Sequence, residues 1–356
     1  MTSNLFQILL FYFSYFSYFS FLVNTFNVVG WYDGDYNGTI NIPPFVIQKY
    51  THIVTGFPTQ FTNGTVKCNL DDKITQNMVK IARKYNKKIQ WRGGLNLSLI
   101  LFNDTTDINT TQIKINYFNS INKALYECDI DGIEYDFEWE NTKWSKFDII
   151  PSEASTTYTH FLLDLKQIVG NTKIISADVS SWGLFPGAYP FGFKPWINVT
   201  LFNKGRNNIK IDFLNVMSYH WDINGSIMPW IKDVIVYKYI WKFDSSRINL
   251  AIPYFSMNYT LFPKSRIYNE PLWGGLSSKC PNIDENVNIC DNILFVGKNM
   301  NKKISQLVKK EQFGGLFPWA MNYDSFEHNN TLINYVDMDV SVGIDVEDVD
   351  VSFIRS

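Results

Sequence analysis

A row of acidic residues lies near the middle of the sequence, in the segment DGIEYDFEWE at residues 131–140. Its carboxylates occur at every second position, at Glu134, Asp136, Glu138 and Glu140, with apolar or aromatic residues between them. This period of two is typical of a β-strand, on which alternate side chains share one face. On an exposed strand such acids are solvated. Acids buried side by side hold at least one proton at neutral pH, as a general acid must.

Seven further runs of apolar and β-branched residues predict strands, with segments of helical periodicity between several of them. The predicted strands cover residues 27–32, 52–57, 87–94, 173–180, 211–219, 248–255 and 314–321. The predicted helices cover 74–87, 115–127 and 158–170, the last of them ending at Gly170. Eight strands predict a single-domain α/β fold, a closed (β/α)8 TIM barrel. A doubly wound open sheet is the alternative, but no GxGxxG or GxxxxGKS/T motif follows any strand.

The barrel hypothesis favours burial of the acids, because both faces of a barrel strand are covered. The apolar residues at odd positions would meet the helices, and Glu134, Asp136 and Glu138 would point into the barrel. Glu138 would lie at the C-terminal end of the strand, where barrel enzymes assemble their active sites. Asp136, two residues earlier on the same face, could hydrogen-bond to Glu138 or share its proton.

These motifs resemble those of glycoside hydrolase family 18, which includes chitinases and di-N-acetylchitobiases. Residues 131–138, DGIEYDFE, resemble the DGxDxDxE signature of that family. WRGG at 91–94 resembles its SxGG motif, MSYH at 217–220 resembles MxYD, and 314–321 resembles its eighth strand, which ends near a tryptophan. The resemblance covers about residues 27–335, and it implies the TIM barrel fold.

Carried over position by position, the resemblance assigns a role to five residues. It implies that Glu138 is the general acid and base, and that Asp136 is its partner and orients the substrate N-acetyl group. Tyr219 would donate a hydrogen bond to the acetamido carbonyl, and Trp319 would form the floor under the reacting sugar. Asp131, also a candidate site residue, would be a structural acid at the base of the strand.

The implied reaction is retaining hydrolysis without an enzyme nucleophile. The N-acetyl oxygen of the substrate attacks the anomeric carbon while Glu138 protonates the leaving oxygen. Further substrate-binding candidates are Glu134, Met217, Tyr32 and Phe57, of which the last two are aromatic residues at the ends of the first and second strands. No cofactor is expected, and the sequence offers no ligand cluster for a metal.

Three positions depart from the family pattern. Glu134 replaces the middle aspartate of the signature, which adds a methylene inside the barrel. His220 replaces the aspartate of MxYD, and we interpret it as a hydrogen-bonded histidine without a catalytic role. Trp91 replaces the serine of SxGG, and it is expected to reshape the cleft at the end of the third strand.

The composition limits the partners of the protein. The formal net charge is −2 and the lysines are scattered, so nucleic acid is excluded as a partner. Aromatic residues make up 17% of the chain, which suits a carbohydrate cleft. The expected partner is an N-acetylglucosamine oligosaccharide or polysaccharide. The sequence leaves the oligomeric state open.

The two ends of the chain are predicted to lie outside the barrel, which would occupy residues 26–335. Residues 1–25 are apolar and uncharged, and they predict a signal peptide; an uncleaved membrane anchor is the alternative. The expected location is therefore secreted or lumenal, either extracellular or lysosomal. Residues 336–356 form an acidic tail without an assigned role. Glycosylation sequons support secretion and occur at Asn37, Asn63, Asn96, Asn103, Asn109, Asn198, Asn224, Asn258 and Asn329.

Four cysteines allow three pairings in an oxidising compartment. Cys280 and Cys290 are the favoured disulfide because they lie in one loop, and the sequence leaves open whether Cys68 and Cys128 pair or are buried thiols. Their spacing does not indicate a zinc site.

The sequence predicts a glycosidase that acts on β-1,4-linked N-acetylglucosamine in chitin, chito-oligosaccharides or N-glycan cores. A chitinase-like lectin without turnover is the alternative, motivated by Glu134 and His220, and a structural scaffold protein is a second one. No large insertion is expected between the seventh and eighth strands, which favours short soluble substrates.

Overall fold

Eight parallel strands form a closed barrel, as predicted. The computed structural model describes residues 26–33, 42–93, 108–136, 152–181, 195–220, 226–258, 268–271, 287–290, 293–324 and 331–336. The barrel strands are β1 (Asn27–Trp31), β2 (His52–Val54), β3 (Lys88–Arg92), β4 (Gly132–Asp136), β5 (Ile174–Ser180), β6 (Phe213–Met217), β7 (Ile248–Pro253) and β8 (Gly315–Trp319). Each strand pairs in parallel with its neighbours in sequence, and β1 pairs with β8 to close the barrel.

Helices lie between the strands and cover the outside of the barrel. The α-helices are α1 (Pro44–Ile47), α2 (Lys73–Lys84), α3 (Ile108–Glu127), α4 (Ser152–Val169), α5 (Val199–Lys204), α6 (Met228–Val234) and α7 (Lys298–Lys310). A π-helix, Ile235–Ile240, continues α6, and 3-10 helices occupy Ser245–Arg247, Met321–Tyr323 and Leu332–Tyr335. Local chemistry sets the helix ends. Asp72 caps the first amides of α2, and Gly170 follows α4 with φ of 78°, a conformation that favours glycine.

Side chains alternate between two apolar layers. One layer lies between the strands and the helices and includes Ile89, Trp91, Ile133 and Tyr135. The other fills part of the barrel interior, with its members being Val29, Trp31, Val54, Phe213, Ala251, Phe317 and Ala320. The strand faces are therefore assigned as the period-two pattern predicted.

Trp91 does not reshape the cleft, contrary to our expectation. Its side chain is buried in the layer beneath the helices. The pleat of β3 instead turns its neighbours Gln90 and Arg92 inward, where Gln90 bonds to Ser176 and Arg92 lies over the Trp31 ring. The motif comparison did not consider the pleat of β3, and it therefore assigned Trp91 to the inward face although its side chain points outward.

A four-stranded antiparallel sheet lies between β7 and β8, so the prediction that this segment has no large insertion was wrong. Its strands are Phe255–Asn258, Tyr268–Pro271, Val287–Cys290 and Ile293–Val296. The strand Phe255–Asn258 pairs on both sides, with Tyr268–Pro271 and with Ile293–Val296. Strands of four residues give too short a periodic signal to be recognised in the sequence.

Cys68 and Cys128 form a disulfide with a Cα–Cα distance of 5.5 Å, which decides the pairing that the sequence left open. The bond joins the segment that precedes α2 to the end of α3. Cys280 lies outside the described residues, and its pairing with Cys290 stays a prediction. Residues 1–25 and 337–356 also lie outside them. In the described part of the chain, no helix is both long and apolar enough to span a bilayer.

Candidate active site

The two acids of β4, Glu134 and Asp136, point into the barrel, and Glu134 is the deeper of the two. Glu134 is fully buried. Its carboxyl oxygens accept hydrogen bonds from Trp31 Nε1, from Ser176 Oγ at 3.0 Å and from Asn215 Nδ2 at 2.7 Å. One side chain of β4 therefore contacts β1, β5 and β6.

Asp178 is a second buried acid beside this carboxyl, and our reading of the sequence missed it. It lies on β5 in register with Asp136 on β4, and it is 2% exposed. Asn215 Nδ2 donates to Asp178 Oδ1 at 3.0 Å as well as to Glu134. The sequence carried the signal, because Ser176, Asp178 and Ser180 alternate with apolar residues as the acids of β4 do.

The three acids Glu134, Asp136 and Asp178 share a site with strongly perturbed proton affinities. Burial raises the pKa of Glu134 to about 7, against the lowering effect of its hydrogen bonds. Asp136 keeps solvent-exposed surface at the end of β4, but desolvation by the surrounding protein, and then the charge of Glu134, raise its pKa to about 6. Burial and the charges of the other two acids raise the pKa of Asp178 well above its usual range. Such groups can hold protons near neutral pH and suit general acid and base chemistry.

Arg92 places a cation beside these acids. Its guanidinium lies 4.3 Å from the ring centroid of Trp31, and it donates to the carbonyl of Tyr32 and to Asp33. Its positive charge lowers the pKa of Asp136. Asp33 also accepts from the hydroxyl of Tyr323, so one carboxylate links the ends of β1 and β3 to the segment after β8.

An aromatic cluster forms one side of the barrel mouth. The ring of Trp319, at the end of β8, is 5.8 Å from Tyr219, 5.0 Å from Phe255 and 5.5 Å from Tyr323, measured between centroids. Trp319 and Tyr219 are partly exposed, and Met217 at the end of β6 is buried. Partly exposed rings beside acids at the C-terminal end of a barrel can bind the apolar face of a sugar.

The sequence that forms the barrel matches the model of a known protein family. Residues 27–324 match the model for glycosyl hydrolases family 18. The chain belongs to this family. It is accordingly a glycoside hydrolase. No curated protein sequence matches the chain.

Solved chitinase structures share the fold of the chain at low identity. A chitinase of Flavobacterium johnsoniae has 19% identity and a TM-score of 0.63, covering 88% of this chain and 93% of its own. A chitinase of Bacteroides thetaiotaomicron has 18% identity and a TM-score of 0.60, covering 87% and 94%. Catalytic domain 2 of a group II chitinase of Ostrinia furnacalis, solved with a chito-oligosaccharide, has 14% identity and a TM-score of 0.61, covering 88% and 95%.

Two of the candidate residues lie away from the family 18 cleft. Asp131 lies at the N-terminal end of β4, where it pairs with Arg83 at 2.7 Å and accepts from the amide of Ile89. These contacts suit a structural acid at the base of the strand, and the place of Asp131 among the substrate-binding candidates stays a prediction. Tyr32 differs from our expectation, since its side chain is 3% exposed and lies in the layer beneath the helices.

The remaining candidates lie at the mouth or outside the described residues. Phe57 is 41% exposed, and the guanidinium of Arg92 is 5.5 Å from its ring. Glu138 lies outside the described residues, and its position and role stay predictions. Asp136, two residues before it, ends β4 at the mouth.

His220 is a buried, hydrogen-bonded histidine, as we predicted. Its Nε2 lies 2.7 Å from Asp233 Oδ2 and 3.1 Å from Ser181 Oγ, and its ring packs edge-on against Trp230. It therefore lies against α6, where it anchors the segment that carries Tyr219. Among the described residues, no group of three or more His, Cys, Asp or Glu side chains is arranged to hold a metal ion.

Proposed function

We propose that the protein hydrolyses β-1,4 linkages of N-acetylglucosamine in chitin or chito-oligosaccharides, with retention of anomeric configuration. The observation that carries this proposal is the row of inward acids on β4 in a chain of family 18. β4 ends with Asp136 at the barrel mouth, and Trp319 and Tyr219 form a partly exposed aromatic wall at the same end of the barrel. The chito-oligosaccharide bound by the Ostrinia furnacalis domain supports the same substrate class.

The proposed mechanism uses the substrate's own N-acetyl group. Glu138 protonates the leaving oxygen, and the N-acetyl oxygen attacks the anomeric carbon to give an oxazolinium ion. Asp136 accepts a hydrogen bond from the acetamido N–H, which orients that oxygen, and Tyr219 binds the acetamido carbonyl. Water, deprotonated by Glu138, then opens the ring from the same face. Arg92 supports ionised Asp136 through its nearby positive charge.

The test is release of umbelliferone from chitobioside and chitotrioside conjugates between about pH 3 and pH 8. Wild-type protein is expected to turn over both, and Glu138→Gln is expected to lose at least about a hundredfold in kcat while it still binds chito-oligosaccharide. Folded wild-type protein that binds the oligomers without turnover would favour the lectin. Equal rates for wild type and Glu138→Gln would exclude Glu138 as the acid.

We also propose that the protein enters a secretory lumen. The disulfide between Cys68 and Cys128 supports this, because such bonds persist in oxidising compartments. Expression of the full chain in a secretory host, followed by N-terminal sequencing, tests it. Cleavage near residue 25 supports a signal peptide, and full-length protein retained in membranes supports an anchor.

A further inference from the structure

Glu134 and Asp178 receive very different numbers of hydrogen bonds. Glu134 accepts from three donors, Trp31, Ser176 and Asn215. In the described part of the chain Asp178 accepts from one, Asn215. One nitrogen, Asn215 Nδ2, bonds to an oxygen of each carboxyl, at 2.7 Å and 3.0 Å, so the two acids lie close together. Two neighbouring carboxyls can bond to each other only when one of them carries a proton.

The neighbouring side chains fix the direction of these bonds. Gln90 Nε2 donates to Ser176 Oγ at 2.8 Å, which leaves the Ser176 hydroxyl hydrogen for Glu134. Asn249 Nδ2 donates to Asn215 Oδ1 at 2.9 Å, which turns the NH2 group of Asn215 toward both acids. An acid that faces three donors is best ionised, and an acid that faces one donor and a carboxylate is best protonated.

We propose that Asp178 is a positioning residue that keeps the last proton of the Glu134–Asp178 pair. Protonated Asp178 donates a hydrogen bond to the Glu134 carboxylate, so that the pair below Asp136 carries one negative charge. This inference rests on the proposed function, in which Asp136 must accept the acetamido N–H. Because Asp178 is in register with Asp136 on the adjacent strand, a second charge there would promote protonation of Asp136.

The charges around Asp178 support this order of ionisation. β4 presents Glu134 and Asp136 to it, and both raise the pKa of Asp178 in addition to burial. The positive charge of Arg92 on β3 lowers the pKa of Asp136. From α4, Tyr158 is in electrostatic contact with Asp178, and burial keeps the phenol neutral. Asn215 on β6 is uncharged.

Two isosteric substitutions distinguish a proton on Asp178 from a proton on Glu134. In Asp178→Asn, the new amide would donate from its nitrogen to Glu134 and accept from Asn215, as a protonated aspartic acid does. In Glu134→Gln, the new amide would turn its nitrogen toward donors that need an acceptor. Glu134→Gln is therefore expected to lose at least about tenfold more kcat/KM on chitotrioside than Asp178→Asn does. A loss in Asp178→Asn that equals or exceeds that of Glu134→Gln would overturn the proposal.

Carbon-13 NMR of aspartate carboxyls tests the proton directly and needs no turnover. At about pH 8, wild-type protein is expected to show one aspartate carboxyl with the shift of a protonated acid, absent from Asp178→Asn. Asp212→Asn, a control at the other end of the barrel, should retain it. Ionisation of every aspartate carboxyl at this pH would refute the inference. If wild-type protein lacks turnover, the proposed function fails, while this spectrum still decides where the proton lies.

Discussion

Glu134 combines full burial with three hydrogen-bond donors, and these features act on its pKa in opposite directions. Burial disfavours the carboxylate and the donors favour it, and the balance raises the pKa from 4.5 to about 7. The folded protein therefore binds this proton more tightly than the unfolded chain does. The stability linked to Glu134 is present below about pH 4.5 and is lost as the pH rises to about 7.

Replacement of Glu134 by glutamine should remove this part of the pH dependence. Between about pH 4.5 and pH 7, the free energy of unfolding of wild-type protein is expected to fall relative to that of Glu134→Gln, by up to about 3 kcal/mol. Urea denaturation of both proteins at several pH values measures the difference. A constant difference across this range would show that Glu134 titrates alike in both states.

Individual site residues were predictable where the strand pleat and the family motif agree. Glu134 and Asp136 alternate with apolar residues, so their inward direction followed from the period of two. Arg92 was not predicted because the motif comparison considered only Trp91 at this place, although the pleat of β3 turns Arg92 inward. Asp178 was not predicted because no motif marks it, and its pairing with Glu134 depends on side chains from β1 and β6 as well.

At the scale of elements, the N-terminal ends of the barrel strands repeat one contact. The residue that precedes each of β2, β4 and β6 accepts a hydrogen bond from the second amide of the preceding strand. These residues are Thr51 with Val28, Asp131 with Ile89, and Asp212 with Ile175. Both acids also bind a helix cation, Arg83 of α2 and Lys166 of α4 respectively. This end of the barrel therefore stabilises the fold, while the other end carries the site.

Asp212→Asn should lower stability without changing catalysis. Lys166 is 4% exposed and lies 2.8 Å from Asp212, so the substitution leaves a buried ammonium without its carboxylate. We expect a loss of about 2 kcal/mol, below the cost of a fully buried pair because Asp212 is 32% exposed. Thermal unfolding measures it, and kcat/KM should match wild type. The double variant with Lys166→Met should regain part of the loss, and no recovery would contradict a charge effect.

The helices α2, α3 and α4 were predictable because each carries a periodic signal, whereas α1, α5, α6 and α7 were not predicted. α3 and α4 span 20 and 18 residues, and all eight barrel strands fall within predicted runs. The sheet between β7 and β8 was not predicted, since its strands of four residues carry little periodicity. The pairing of Phe255–Asn258 with Ile293–Val296 also joins segments well separated in sequence, which local patterns do not encode.

At the scale of the whole molecule, the disulfide links two consecutive strand–helix units. Cys68 and Cys128 are 60 residues apart, and the closed loop contains α2, β3 and α3. The same unit carries a hairpin, Thr59–Gln60 with Val66–Lys67, which α3 also holds through a bond from the Val66 amide to Ser120 at 2.8 Å. The disulfide thus restrains the segment between Phe57 at the mouth and the start of β4.

Removing this bond should destabilise the fold through the entropy of the unfolded chain. For a loop of this length, Cys68→Ala with Cys128→Ala is expected to cost about 4 kcal/mol. The matched control is Cys280→Ala with Cys290→Ala, which would open a loop of about ten residues and cost about 3 kcal/mol if that pair is bonded. Guanidinium denaturation of both variants and of wild type measures the losses. An equal stability of wild type and the Cys68/Cys128 variant would show that the bond does not form in solution, because the chain would then have no loop to close.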